Sequence, residues 1–212
     1  MKYGVQLYSL RETAEKSGAE EVLRLVAEAG YDGVEFAGFY GKTPEEMKAL
    51  LAEYGLTGIS AHIRPEAVEA NLPFIDALGI RYVFIPWAGA EEFESAEKYA
   101  KLLAETKKAK ALLDARGVGF GYHNHAHEFR ANEDGSMIYQ QILERTTLDL
   151  EIDTYWAFVG GNDPVEMMER LKDRLIFIHI KDGDADGHGT PLGMGTAPVA
   201  DVYAKAIEMG IP

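Results

Sequence analysis

The chain has 212 residues, enough for one well-buried domain, and it contains no cysteine, which excludes disulfides, thiolate metal ligands and a cysteine nucleophile. It shows neither the apolar stretch of a signal peptide nor an apolar run near the ~18 residues of a membrane helix. A formal net charge of −14 argues against a nucleic acid partner, which needs a basic face. We therefore expect a cytoplasmic protein with neither a membrane nor a nucleic acid partner.

An amphipathic helix, a glycine and a short apolar strand recur in that order along the chain. Glycine follows the predicted helices at Gly30, Gly55, Gly79 and Gly117. A residue without Cβ ends a helix in the left-handed conformation without a clash. The predicted strands are 3–8, 33–37, 57–62, 81–86, 117–123, 148–153 and 175–181.

Capping residues mark two of the helix starts. Thr43-Pro44-Glu45-Glu46 predicts a capping box with proline in the first turn, and Asn162-Asp163-Pro164 opens a later helix. A long helix is predicted over 92–116, and the last helix over 198–209. Helices therefore alternate with strands through the whole sequence.

This alternation predicts a parallel sheet. Seven strands favour an α/β fold of the (β/α)8 TIM barrel type, with a doubly wound open sheet as the second choice. LYSLRETAEKSG, after the first strand, lacks the glycine-rich phosphate fingerprint of a nucleotide-binding domain. Gly210-Ile211-Pro212 precedes the place of an eighth strand. We therefore expect one barrel domain over 1–212, truncated at its C-terminal end and lacking the eighth strand.

Almost every predicted strand ends in an ionisable or hydrogen-bonding side chain. A parallel strand buried on both faces has no structural use for such a residue, and TIM barrel active sites lie at the C-terminal ends of the strands. These residues are therefore candidates for one site. They are Gln6, Tyr8, Glu35, His62, His123, His125, Glu151, Asp153, His179 and Lys181.

Taken singly, several of these residues also have a structural interpretation. His62 or His179 could be a core histidine bonded to backbone, Asp153 could cap a turn, and Glu35 could pair with a lysine. Glu151 shares a strand face with Asp153 and is interpreted as its structural partner. Only their convergence favours a functional site.

Two histidines and a carboxylate from neighbouring strands, without sulfur, match a site for Mn, Co, Zn or Fe(II). Such a site leaves coordination positions open for substrate or water. Trp156 lies just after the aspartate of this set. Packing is its preferred interpretation, and a sugar-binding platform is the alternative.

GYHNHAHEF, residues 121–129, holds three of the six histidines. The loop 125–136 is longer than an ordinary strand-to-helix connection, which predicts a functional lid. Glu128 is expected to face inward and His127 to face solvent. His188 lies in a glycine-rich segment that is expected to be a mobile loop. An EF-hand there is rejected because the terminal glutamate is missing.

Together these motifs resemble the sugar phosphate isomerase/epimerase family of xylose-isomerase-like TIM barrels. The resemblance spans essentially the whole chain and rests on GVQLYSLR, GYDGVEFAG, GYHNHAHEF, LEIDTYW, GGNDPVE, IHIKDGD and PLGMG. Each motif alone is weak, but their order and spacing together are specific. The combination of YHNH…EF with DTYW and HIKD is typical of one branch of the family.

The resemblance implies a divalent metal, most often manganese, with zinc, cobalt, iron or magnesium as alternatives. Asp153 and His179 match the aspartate and histidine ligands. The position of the first glutamate ligand is occupied by His123, so His123, His125 or Glu128 takes that role. The last glutamate ligand lies on the eighth strand, and the helper histidine of other members is replaced by Trp156.

The chemistry implied is proton transfer next to a sugar carbonyl, through an enediolate that the metal stabilises. The candidate acid or base groups are Glu128, His125 and a carboxylate beyond residue 212. Lys181 would orient or stabilise a substrate oxygen. The substrate-binding candidates are Glu35, His62, Trp156 and Tyr8.

A metal-dependent sugar isomerase or epimerase is therefore the leading hypothesis, acting on a small-molecule sugar or keto-sugar. An inosose-type dehydratase is the first alternative, because elimination shares the enediolate. A non-catalytic carbohydrate-binding barrel is the next alternative, because the sequence lacks the glutamate at two of the family's ligand positions. An endonuclease is disfavoured by the acidic net charge. No basic cluster demands a phosphate, which favours an unphosphorylated substrate. The oligomeric state stays open, a homo-oligomer included.

Overall fold

The computed structural model describes residues 2–93, 95–132 and 135–211. The chain divides into two compact units. The N-terminal unit comprises Lys2–Ile85 and Leu102–Phe120, and the C-terminal unit comprises Pro86–Lys101 and Gly121–Pro212. The single domain expected from the sequence stays a prediction.

Parallel strands alternate with helices, as the sequence predicts. The strands are β1 (Gly4–Gln6), β2 (Gly33–Phe36), β3 (Thr57–His62), β4 (Tyr82–Ile85), β5 (Gly119–His123), β6 (Asp149–Asp153) and β7 (Leu175–His179), followed by a short antiparallel pair, β8 (Asp182–Gly183) and β9 (Gly189–Thr190). The helices are α1 (Arg11–Glu28), α2 (Pro44–Tyr54), α3 (Val68–Leu78), α4 (Ala96–Asp114), α5 (Ile138–Arg145), α6 (Thr154–Val159), α7 (Pro164–Arg170) and α8 (Val199–Met209).

Strand register places the polar strand ends of the C-terminal unit side by side. β5 pairs with β6 so that His123 lies opposite Glu151. β6 pairs with β7 so that Asp153 lies opposite His179. Since all three strands are parallel, their carboxyl ends present these side chains at one edge.

In the N-terminal unit, β1 to β4 are neighbours in chain order. Gln6 lies opposite Glu35, and an irregularity after Val34 sets Glu35 opposite Ser60. The next pair along this edge is His62 with Phe84. The alternation of strands and helices in the sequence thus gives strands whose ends are neighbours in chain order.

Helix boundaries follow the predicted caps. The Glu46 N–H donates to Thr43 Oγ1 at 3.2 Å and the Thr43 N–H donates to Glu46 Oε2 at 2.7 Å, which closes the capping box. Asp163 Oδ1 accepts the N–H of Val165 at 2.8 Å at the start of α7. The predicted C-terminal glycines all have positive φ: Gly30 (84°), Gly55 (68°), Gly79 (66°) and Gly117 (67°).

Several predicted boundaries are wrong, among them the end of the seventh strand, which is His179 rather than residue 181. The first strand ends at Gln6 rather than residue 8, because Leu7–Leu10 forms a 3-10 helix in which the Tyr8 carbonyl accepts the backbone N–H of Arg11. The long helix predicted from residue 92 begins at Ala96. Glu92 belongs to a separate 3-10 turn, where its Oε2 accepts the N–H of Gly89 at 3.0 Å.

Each unit has its own apolar core, which fixes the strand edges that carry the polar residues. Fully buried side chains of the N-terminal unit include Val34, Phe36, Ala61, Val83 and Phe84. Those of the C-terminal unit include Leu150, Ile152, Met168, Val202 and Ala206. Within the described ranges, no helix has both the length and the apolar character to cross a membrane.

Candidate metal centre

Three buried or nearly buried side chains meet at the carboxyl ends of β5, β6 and β7. His123 Nε2 lies 3.3 Å from Asp153 Oδ2 and 3.1 Å from His179 Nδ1, and the same carboxylate oxygen lies 3.6 Å from His179 Nδ1. Three donors that each lie about 2.1 Å from one ion are about 3.0–3.4 Å apart. The triangle therefore has the dimensions of a divalent metal site, and these residues could hold such an ion.

The backbone of Pro86 fixes the proton on His123. His123 Nδ1 lies 3.0 Å from the Pro86 carbonyl oxygen, which only accepts hydrogen bonds. Nδ1 therefore carries the hydrogen, and neutral His123 has a lone pair on Nε2. In that tautomer Nε2 is an acceptor 3.3 Å from Asp153 Oδ2, an arrangement that a shared cation would stabilise.

Glu151 orients His179 in the same manner. Glu151 Oε1 lies 3.4 Å from His179 Nε2, which favours the proton on that nitrogen and leaves Nδ1 facing Asp153 and His123. Glu151 itself is 2% exposed. The sequence interpretation had Glu151 as the partner of Asp153, whereas the contact that the structure shows is with His179.

Asp153 uses its two carboxylate oxygens differently. Oδ1 accepts the backbone N–H of Trp156 at 3.0 Å and caps α6, which leaves Oδ2 for the imidazoles. The buried amide of Asn124 bonds both to the Asp153 N–H and to its carbonyl, each at 3.1 Å. The carboxylate is therefore fixed from both its backbone and its side chain.

Lys181 lies two residues beyond β7 and contacts Asp153. Its Nζ is 2.6 Å from Asp153 Oδ2, and the lysine side chain is 34% exposed. Burial alone would raise the pKa of Asp153, but the Lys181 ammonium and the adjacent imidazoles outweigh it and hold that pKa well below 3.8. Asp153 is therefore a carboxylate at neutral pH.

His125 follows β5 and packs against aromatic rings. Its ring centroid lies 4.9 Å from that of His123 and 5.9 Å from that of Trp156. Burial, with a contribution from His123, lowers the pKa of His125 to about 3, so the imidazole is neutral. Its Nδ1 is buried, with no hydrogen-bond partner in the part of the chain that the structure describes.

Glu128 faces inward, on a 3-10 turn (His127–Phe129), and has no exposed surface. Oε1 accepts the Tyr122 hydroxyl and Oε2 accepts the His125 N–H, each at 2.8 Å. The Tyr122 oxygen in turn accepts the N–H of Ala88 at 2.8 Å. Burial raises the pKa of Glu128, against the opposing influence of His127.

His127 is half-buried rather than turned fully to solvent. Its Nε2 bonds to the Ala88 carbonyl at 2.8 Å, and its Nδ1 lies 3.3 Å from Glu128 Oε2. The His127 ring also meets the edge of Trp87, which is 42% exposed. Residues 133 and 134 of the predicted lid loop lie outside the described residues.

Within the N-terminal unit, Glu35 and His62 belong to a second buried polar group. Glu35 Oε1 accepts from Gln6 Nε2 at 2.9 Å and lies 3.0 Å from His62 Nε2, while Oε2 accepts the Ser60 hydroxyl at 2.6 Å. Gln6 Nε2 is also 3.0 Å from His62 Nδ1. Glu35 thus has Gln6, His62 and Ser60 among its partners.

Tyr8 lies outside this group because it belongs to the 3-10 helix after β1. Its side chain is exposed, and the Arg11 guanidinium lies 4.5 Å from the ring centroid. Such a cation–π contact is sufficient to orient the ring at a surface. The structure thus does not place Tyr8 beside Glu35 within this hydrogen-bonded group.

The segment after β7 is organised around Asp182. Its carboxylate accepts N–H groups from Gly183 and Gly193 at 2.8 Å and from Gly195 at 3.0 Å. His188 is 80% exposed at its side chain and contacts Asp184. With Asp186 these two form an exposed group that could bind a cation, although exposed acids commonly occur without one.

Four supporting residues escaped the sequence-based selection: Tyr122, Asn124, Trp87 and Asp182. Tyr122 and Asn124 lie inside GYHNH, where only the histidines were selected as candidates. Asp182 stands inside HIKDGD, and its role depends on glycines 11 and 13 residues later. Asn124 meets the criterion used for the other candidates, because it is a polar residue at the end of a buried strand.

Comparison with known proteins agrees with this architecture. A family model described as xylose isomerase-like TIM barrel matches residues 23–212. An inosose dehydratase from Geobacillus kaustophilus is 23% identical, over 90% of this chain and 76% of that protein. The crystal structure of a sugar phosphate isomerase/epimerase from Parabacteroides distasonis is 26% identical, with a TM-score of 0.69 over 99% of this chain and 83% of that chain.

A further likeness shows the fold alone. D-allulose 3-epimerase from Methylomonas sp., solved in complex with D-allulose, is 19% identical, with a TM-score of 0.69 over 99% of this chain and 81% of that chain. The predicted TIM barrel class and the family resemblance are confirmed by the family model. The chain belongs to the xylose isomerase-like TIM barrel family.

Proposed function

We propose that this chain is a divalent-metal-dependent isomerase or epimerase that moves a proton next to the carbonyl of a sugar or keto-sugar. The observation that carries the proposal is the triangle of His123 Nε2, Asp153 Oδ2 and His179 Nδ1, whose separations of 3.3, 3.1 and 3.6 Å suit one divalent cation. These are nitrogen and oxygen donors, as manganese, iron, cobalt and zinc accept. A bound cation would polarise the substrate carbonyl and stabilise the enediolate.

In this proposal His123, Asp153 and His179 hold the metal, with manganese the preferred ion. Pro86 and Glu151 set the tautomers of the two histidines, which keeps their ligand nitrogens unprotonated. A divalent cation there would be held by two imidazole nitrogens and one carboxylate oxygen.

We propose His125 as the group that takes and returns the substrate proton. It is a neutral imidazole that is one-third exposed at its side chain, and it lies beside His123 and Trp156. Glu128, also a candidate from the sequence, has no exposed surface, and both its oxygens accept hydrogen bonds. Its burial favours a role in positioning His125 through the His125 N–H.

Trp156 is proposed to pack beside His125 and to offer an apolar face to a sugar ring. The assignment of Glu35, His62 and Tyr8 to substrate binding stays a prediction from the sequence. The sequence has no basic cluster near these residues, which favours an unphosphorylated substrate.

A dehydratase of the inosose type is the second candidate. It is supported by the likeness to the Geobacillus kaustophilus inosose dehydratase, which extends over 90% of this chain. Elimination and isomerisation share removal of a proton next to a carbonyl. The same residues would serve both, and only the fate of the neighbouring hydroxyl differs.

The first experiment measures metal binding by calorimetry with Mn²⁺, Zn²⁺, Co²⁺ and Mg²⁺ on chelator-treated protein. We expect one strong site in the wild type, lost in His179→Asn and retained in His188→Asn, whose histidine is exposed. A crystal of the metal-loaded protein should give an anomalous peak between His123, Asp153 and His179. Equal metal binding by wild type and His179→Asn would contradict the assignment.

The second experiment separates the two activities. Unphosphorylated keto-sugars and inososes are incubated with the metal-loaded protein in deuterated water and the products are weighed. Isomerisation or epimerisation introduces deuterium without loss of mass, whereas dehydration removes one water. No deuterium uptake from any of these compounds would favour the carbohydrate-binding alternative.

A further inference from the structure

We propose that Lys181 competes with the divalent cation for Asp153 Oδ2, and that this competition sets the metal affinity of the site. The inference rests on the proposed metal centre and adds to it the residue that limits metal binding. It also assigns Lys181 a role before any substrate arrives.

The competition follows from the unequal use of the two oxygens of Asp153. Oδ1 accepts the Trp156 N–H at 3.0 Å and caps α6, so it points away from the ligand triangle. Oδ2 is the oxygen that faces His123 Nε2 and His179 Nδ1. Lys181 Nζ already lies 2.6 Å from that oxygen.

The Asp153 carboxylate cannot rotate so as to bind the metal ion and the Lys181 ammonium through different oxygens. The side-chain amide of Asn124 bonds to the Asp153 N–H and carbonyl, which fixes the backbone, and the helix cap fixes the carboxylate plane. A metal ion at Oδ2 and the ammonium at the same oxygen would repel each other strongly, because the carboxylate is fully buried. Metal binding therefore requires Lys181 Nζ to move.

Lys181 has room to move because its side chain is 34% exposed and its stem is flexible. Its displacement would break one charge-assisted hydrogen bond in the metal-free protein. The freed ammonium would then be available to a substrate oxygen, the function predicted from the sequence. Metal binding and the release of Lys181 from Asp153 would therefore occur together.

The test is calorimetric titration with Mn²⁺ alone, at one fixed pH, on wild type, Lys181→Met and Lys181→Arg. Met keeps the length of the stem but removes the charge. We expect Lys181→Met to bind Mn²⁺ roughly tenfold more tightly or better, since it has no charge-assisted bond to break. Lys181→Arg should stay close to wild type or bind more weakly.

The matched control is Lys110→Met, which removes an exposed Lys–Asp pair on α4 with a 2.8 Å separation. Its Mn²⁺ affinity should equal that of wild type. Thermal unfolding supplies a second measurement: metal-free Lys181→Met should melt below wild type, because Asp153 loses its partner, and Mn²⁺ should raise its melting temperature by more than that of wild type.

If Lys181→Met does not fold, lysine ¹³Cε resonances of the wild type report the same event. The Lys181 signal, assigned by comparison with Lys181→Arg, should shift when Zn²⁺ is added and the Lys110 signal should not. A Lys181 signal that stays unchanged while Zn²⁺ binds would overturn the competition.

The outcomes also separate this inference from the proposed metal centre. If wild type binds metal and Lys181→Met binds it equally or more weakly, Lys181 supports the site and the competition is refuted. If wild type and Lys181→Met both fail to bind any of the metals, the metal centre fails and the competition fails with it. Binding by wild type, with tighter binding by Lys181→Met, would support both.

Discussion

The segments that follow β5 and β7 each cover a carboxylate, Glu128 in the first and Asp182 in the second. Glu128 accepts one hydroxyl and one backbone N–H, and burial raises its pKa. Asp182 accepts three backbone N–H groups, with that of Gly195 the largest influence, and its pKa is lowered. The two shifts therefore have different main causes: burial at Glu128, and backbone N–H groups at Asp182.

The two segments also present different surfaces. Around Glu128 the neighbours are rings, namely His125, His127 and Tyr122, which leave few backbone groups to bond. Around Asp182 the neighbours are glycines, whose backbone approaches a carboxylate closely because no Cβ intervenes. The first segment is thus packed through side-chain rings, and the second is a loop whose backbone N–H groups are held by one carboxylate.

The largest expected effect is that of Glu128→Leu. The Tyr122 hydroxyl and the His125 N–H would both lose their acceptor inside the protein, which should cost at least about 2 kcal/mol of unfolding free energy. Glu128→Gln should lose less, because its amide oxygen still accepts one of the two. Denaturant unfolding checks the order, and equal stabilities for wild type and Glu128→Leu would contradict it.

The next effect tests the glycine-built segment. A Cβ at Gly195 would overlap Asp182 Oδ1 and the Gly183 nitrogen, so Gly195→Ala should destabilise by about 1–3 kcal/mol and make this segment more sensitive to proteases. At Gly189 the nearest atom to a Cβ is 3.8 Å away, so Gly189→Ala is the matched control and should behave like wild type. Identical proteolysis of the two variants would argue against the Asp182 interaction.

The pH dependence of stability should have opposite signs in the two segments. The pKa of folded Asp182 is lowered, so its contribution is present above 3.8 and is lost as the pH falls through the folded pKa. The pKa of folded Glu128 is raised, so its contribution is fully present below 4.5 and is lost as the pH rises through the folded pKa.

Melting temperatures measured between about pH 3 and pH 7 check both signs. The advantage of wild type over Asp182→Asn should shrink on acidification. Relative to Glu128→Gln, wild type should gain stability over the same range. Parallel pH profiles for the two pairs would show that the two carboxyl groups do not differ as described.

The smallest effect is expected at the surface of the β7 segment. Leu192 and Met194 are 60% and 74% exposed, so the double change Leu192→Ser with Met194→Ser should alter the unfolding free energy by less than about 0.5 kcal/mol. Thermal unfolding measures it. A clear loss of stability would mean that these side chains are covered in solution, and that the Asp182 interaction is not what holds the segment.

Local sequence patterns were sufficient for the strands and helix ends, because capping residues and glycines act within a few positions of themselves. The 3-10 helix at Leu7–Leu10 was not predictable from the apolar alternation, which runs on through it. Its end is marked by the Arg11 backbone N–H donating to the Tyr8 carbonyl, a contact that period-2 patterning does not encode.

The candidate site was predictable as a set of residue types and less so as a set of contacts. His123, Asp153 and His179 converge because parallel strands end at one edge, which the alternation implies. The contact of Lys181 with Asp153 was not foreseen, since the turn after β7 decides where that side chain points. Asp182 was missed for a similar reason: its partners are distant in sequence.

The double duty of Asp153 matters for the interpretation of related sequences. Because one oxygen caps α6, an aspartate is useful at this position even in a protein that has lost its metal and its activity. The presence of aspartate in such a protein would then reflect its role as the N-cap of the helix. The side chain of His179 contacts Glu151, Asp153 and His123, all within the candidate site, which makes it the better marker by which active and inactive relatives could be told apart.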